Sequence, residues 1–129
     1  MWVIRRKART PIGDAWILAG DEPTVREPPG QTAAARLLPS GDAYWLLHGA
    51  DRELLVPDAG QRGSLWTPRV WPGAVLVAGE IVGTWRRAEA KLSIGTWRKL
   101  TRAERDAVEA EAQSLPLPGV EGQIAVSWE

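Results

Sequence analysis

The side chains best suited to chemistry in this sequence are cations set beside indoles. Residues 75–99 read VLVAGEIVGTWRRAEAKLSIGTWRK and state one phrase twice, Gly83-Thr84-Trp85-Arg86-Arg87 and Gly95-Thr96-Trp97-Arg98-Lys99. Arginine and lysine neutralise phosphates, and indoles stack on bases. On that ground Arg86, Arg87, Lys91, Arg98 and Lys99 form the candidate nucleic-acid-binding set, with Arg5, Arg6 and Lys7 as helpers. The same residues suit a purely structural role: a β-hairpin whose tryptophans pack across strands and whose arginine stems lie over them.

The charge pattern keeps both readings open. Net charge is zero, yet residues 1–9 hold four bases and no acid, and residues 80–105 hold seven bases against three acids. Residues 106–129 hold five acids and no base. Such a tail either neutralises the basic strands within the fold or leaves them to a polyanion.

Catalytic chemistry has little to build on. There is no cysteine and a single histidine, His48, which excludes a thiolate metal site, a cysteine nucleophile and the usual His/Cys zinc site. Asp42 and Asp51 stand near His48 in sequence and make it a candidate general base, although a lone histidine ending an apolar run is ordinarily structural. The carboxylate pair Asp51/Glu53 flanks Arg52 and reads as a solvated turn, and Glu109/Glu111 reads as an exposed helix face. No P-loop and no strand-borne GxGxxG occurs. No catalytic residue, metal or cofactor follows from these residues.

The elements that would hold the cations are mostly short strands. The 129 residues suit one domain, or a piece of a larger one. Trp2–Lys7 and Asp14–Ala19 form an N-terminal hairpin around an Ile12-Gly13-Asp14 turn, so residues 1–19 make one piece. Residues 20–33 have the proline, glycine and charge content of a linker, and residues 34–129 form the main β-rich module. Within it Ala43–His48 is a strand or one helical turn, and Asp51–Glu53 begins a helical turn or a strand. Pro57–Arg69 reads as irregular. Val75–Ala78 is a strand, Gly79-Glu80 a turn, Ile81–Arg87 the return strand and Lys91–Trp97 a third strand. In this register Trp85 shares a strand face with Arg87, and Trp97 shares one with Lys99. Thr101-Arg-Ala-Glu104 is a capping box that opens a helix over about 101–115, ended by Pro116 and Pro118. Gln123–Trp128 is a last strand. The expected fold is mainly β within the α+β class: a small antiparallel sheet or partial barrel of short strands with one C-terminal helix packed on it.

Arg36-Leu-Leu-Pro39, Asp42-Ala-Tyr44, Asp51-Arg52, Val75–Arg87 and the Leu100–Arg105 helix start occur in an order that resembles the C-terminal part of a bacterial family. It is the winged-helix DNA-binding family that includes the crosslink-unhooking, AlkZ-like DNA glycosylases. The resemblance covers about residues 34–115, and the first hairpin matches what precedes that part. It implies a β-rich, barrel-like module that scaffolds winged helices in a DNA-associated context. Family members are longer, carry tandem winged helices, and in their glycosylases use a Gln-x-Gln pair. Here Gln31, Gln61, Gln113 and Gln123 all stand alone, and Ser40-Gly41 replaces an aromatic residue before Asp42.

The resulting expectation is a non-catalytic DNA-binding or scaffolding module. Its partners would be double-stranded DNA and either a winged-helix partner chain or a second copy. The alternative is a protein-interaction or dimerisation module that ignores DNA. No stretch approaches the roughly 20 apolar residues of a membrane span, and Trp2-Val3-Ile4 precedes its charges, unlike a secretory signal. A cytoplasmic protein fits these features.

Overall fold

The structure, a computed structural model, describes residues 3–11, 13–46 and 49–129. The chain divides into two compact units, Met1–Gln31 and Thr32–Glu129.

The first unit is a hairpin followed by a helical turn. Strands β1 (Arg5–Thr10) and β2 (Gly13–Leu18) pair antiparallel from Arg5·Leu18 to Thr10·Gly13. The expected first strand, Trp2–Lys7, therefore starts later and runs on to Thr10. Thr10 Oγ1 donates to the Gly13 carbonyl at 2.6 Å and closes the turn, and Gly13 adopts φ 123°, which glycine reaches without strain. Trp2 and Ile12 lie outside the described residues. A 3-10 turn (Ala19–Asp21) leads into α1 (Glu22–Arg26), with Pro23 in its first turn, where a missing N–H breaks no helical bond. Helical structure thus occupies the start of the proline-rich stretch.

The second unit is an open five-stranded sheet ordered β3-β4-β5-β6-β7, and it does not close into a barrel. Its strands are β3 (Ala35–Leu38), β4 (Gly73–Val77), β5 (Glu80–Ala88), β6 (Lys91–Thr96) and β7 (Ala125–Trp128). Successive pairs are antiparallel except β6–β7, which is parallel. Parallel pairing needs a long return connection, which here contains helix α4 (Arg102–Ser114). The β4–β5 turn is Ala78-Gly79, one residue earlier than expected, with φ 49° and 85°. Positive φ at both central residues is the hairpin geometry that matches strand twist.

Helix α4 begins as its sequence predicts. The Glu104 amide donates to Thr101 Oγ1 at 3.2 Å, and the Thr101 amide donates to Glu104 Oε2 at 2.8 Å. Its buried residues Val108 and Ala112 pack with Leu37, Val75, Leu92 and Ile94 on one face of the sheet. The opposite face carries Ala74, Leu76 and Ile81 against Trp45, Val56, Leu65 and Trp66. That second layer includes α2 (Arg52–Leu55) and α3 (Ala59–Leu65). Helix α3 corrects the expectation of an irregular Pro57–Arg69, and α2 takes the helical of the two readings open at Asp51–Glu53. The Asp58 side chain caps α3 by accepting from the Gly60 amide at 2.8 Å, which offsets the poor helix propensity of Gly60 and Gly63. The register shift between Val75 and Leu76 leaves Val82 as an extra residue in β5, which lets Val82 and Trp85, three positions apart, serve the same core.

Candidate nucleic-acid interface

Residues opposite one another in an antiparallel pair share a face. Trp85·Ile94 and Arg87·Leu92 therefore lie on the α4 side, and Thr84·Gly95 and Arg86·Ser93 on the other. Arg86 and Arg87 diverge. The two phrases diverge as well: Trp85 packs on the α4-side core and Trp97 on the other.

Most of the proposed cations have partners within the fold. Arg86 Nη2 donates to the Val70 carbonyl at 3.1 Å. Arg87 donates through Nε to the Glu89 carbonyl at 2.7 Å and through Nη2 to the Pro118 carbonyl at 2.9 Å. Arg98 meets Glu104 in a two-pronged ion pair at 3.0 and 3.1 Å. Its hydrogen bond to Arg98, then that from the Thr101 amide, holds the Glu104 carboxyl below its ordinary range. The same bond raises Arg98 further above its already high value. Lys91 and Lys99 are exposed. The set is thus spread over both sides of the sheet and does not converge on one face.

The tryptophans follow a matching rule. Trp85 Nε1 donates to the Leu38 carbonyl (3.0 Å), Trp97 to Ser64 Oγ (3.1 Å), Trp45 to the Pro39 carbonyl (3.3 Å) and Trp66 to the Trp45 carbonyl (3.0 Å). Trp71 donates to the Thr67 carbonyl and Trp128 to Glu109 Oε1, each at 2.8 Å. These rings are structural.

Trp16 differs. It stands on the β1–β2 hairpin, 67% exposed, and among the described residues its N–H has no partner. The pairs Arg5·Leu18, Lys7·Trp16 and Arg9·Asp14 put three cations, the indole and one carboxylate on one face. Lys7 lies 2.7 Å from Asp14, and Arg9 4.0 Å. Arg6 takes the other face and pairs with Glu22 at 2.9 Å. Alternation along the two strands was a signal for this face, but ending the first strand at Lys7 left Arg9 outside it.

The expected carboxylate pairs have other duties. Glu109 accepts from Trp128, and Glu111 meets Arg36 at 3.3 Å and the Leu37 amide at 3.4 Å. Both are half-buried, so Glu109/Glu111 is not the exposed helix face expected. Asp51 and Glu53 are exposed at the start of α2. His48, the general-base candidate, lies outside the described residues. Among the described residues no three His, Cys, Asp or Glu gather as metal ligands, and no helix is long and apolar enough to cross a membrane.

Two shallow hollows adjoin where β4 begins and β5 nears its end. One, of about 450 Å³, is lined by residues 67–70 and Arg86, and the other, of about 270 Å³, shares Val70 and Arg86 and adds Arg87.

A family model described as DNA glycosylase AlkZ-like matches residues 3–116. Among solved structures the chain is similar to the Streptomyces sahachiroi DNA glycosylase AlkZ, with 21% identity and a TM-score of 0.77. The match covers 97% of this chain and 33% of that one, so the chain spans about a third of that structure's length. At this identity the likeness shows the fold. Curated proteins give no match.

Proposed function

The chain belongs to the AlkZ-like DNA glycosylase family, and from that premise we propose that it is a DNA-binding or scaffolding module without base excision of its own. The observation that carries this reading is the hairpin face of Arg5, Lys7, Arg9 and exposed Trp16. Clustered cations neutralise phosphates, and an indole whose N–H and ring are unused inside the fold is free to bond a phosphate or pack on a sugar. The scattered Arg86, Arg87, Lys91, Arg98 and Lys99 add a diffuse positive field. Excision chemistry is absent from the reading because the glutamines are isolated and one of them, Gln113, holds the Ile124 amide at 3.1 Å. The chemistry would come from a winged-helix partner chain, with the pair acting on DNA in the bacterial cytoplasm.

The test is duplex DNA affinity as a function of salt. The wild type binds at low salt and weakens as salt rises. Lys7→Glu with Arg5→Glu lowers affinity and flattens the salt dependence, by about one unit of log–log slope per lost phosphate contact. A wild-type protein that ignores DNA at low salt and runs as an oligomer would overturn this reading in favour of an interaction module.

A further inference from the structure

We infer that the paired hollows beside Val70 bind an unpaired DNA strand, an inference that rests on the DNA-directed reading above. Arg69 and Arg86 line the first hollow, Arg86 and Arg87 the second, and among the described residues no carboxylate lines either. Between them Val70 is 72% exposed. An aliphatic side chain laid open among cations gives the mixed surface that a nucleotide presents in reverse, apolar base face beside anionic phosphate.

The hollows are built rather than incidental. The Val70 carbonyl accepts from Thr67 Oγ1 at 3.0 Å and from Arg86 at 3.1 Å, while Trp71 Nε1 donates to the Thr67 carbonyl at 2.8 Å. Those bonds pin the loop from both ends and turn the Val70 side chain outward. Arg86 uses one nitrogen for this and retains other donors of its planar fork for a phosphate. Arg69 is exposed on the same loop. A duplex keeps its base faces stacked and offers a protein phosphates, sugars and base edges. Only an unpaired strand brings a base face to an exposed aliphatic side chain together with flanking phosphates to the cations beside it. The site therefore suits a strand that is already open, whereas the β1–β2 face needs no unpaired base.

The experiment titrates the full chain with a short single-stranded oligothymidylate and with a duplex of equal length, for wild type, Arg69→Glu, Val70→Asp and Trp16→Ala. Both hollow variants keep the wild-type melting temperature and lose about tenfold or more in single-strand affinity, with duplex affinity little changed. Trp16→Ala shows the reverse preference. Wild-type single-strand affinity in Arg69→Glu and Val70→Asp overturns the inference while leaving the hairpin reading intact. An equal loss for both DNA forms also overturns it, making the loop a duplex contact. A wild type that binds neither form overturns both readings.

Discussion

The β1–β2 and β5–β6 hairpins use one vocabulary for opposite ends. Each sets tryptophan among arginine and lysine on antiparallel strands. In β5–β6 the indoles are half-buried and bonded to Leu38 and Ser64, and three of the five cations are bonded to carbonyls or a carboxylate. In β1–β2 the indole is exposed and its face carries three cations to one acid. The cause is coverage. The central strands have packed layers on both faces, and a long side chain beneath a layer must satisfy its polar atoms there. A two-stranded ribbon leaves one face to solvent. A basic, aromatic phrase therefore says what a strand can bind only once the covering elements are known.

The largest contrast comes from removing an indole in each hairpin. Trp85→Ala destabilises the second unit by about 3 kcal/mol in chemical denaturation. Trp16→Ala changes stability by less than about 0.5 kcal/mol. Next is Gly83→Ala, because a Cβ there runs into the Gly95 carbonyl, a backbone atom that cannot swing away. It costs about 2 kcal/mol on unfolding and leaves DNA binding by the hairpin unchanged. Trp16→Ala then shows its effect in binding, weakening duplex affinity in a titration by about 1 kcal/mol, the scale of one lost hydrogen bond to the DNA backbone. An equal stability loss at Trp16 and Trp85, or an equal binding loss, would erase the contrast.

The smallest effect is a pH effect. Glu104 titrates lower in the folded chain than in the unfolded one, because Arg98 and the Thr101 amide bind its charged form. Its contribution is therefore full above the ordinary glutamate range and fades as pH falls through the depressed folded value. Glu104→Gln lowers stability slightly at neutral pH and flattens the acid limb of a melting-temperature profile. An unchanged acid limb would show that the pair does not couple to folding.

Much of the fold was legible because it rests on local rules. Thr101 and Glu104 announce a helix at the residues where it forms, and Val75–Lys99 has the alternation and glycines of paired strands. Helix α3 was hidden by Gly60 and Gly63, although Asp58 was a visible cap. The parallel placement of β7 depends on where α4 delivers the chain, which no local pattern records. The candidate interface was less legible. Listing Arg86 beside Arg87 says nothing of their pointing apart until the register is known. Arg69 sits in a proline-flanked loop with no neighbouring base, and it joins Arg86 only through the bonds at Val70.

The echoed phrase gains a different meaning from its turn. Gly83 faces Thr96, and Thr84 faces Gly95, across the β5–β6 ladder. Folding at Glu89-Ala90, where Glu89 takes φ 53°, counts residues backward along the second strand, so the two copies arrive out of phase. The turn acts as a parity counter. A turn that delivered β6 one residue out of this register would exchange inside for outside along all of β6. Which tryptophan serves which core is therefore decided by the length of a loop that touches neither ring.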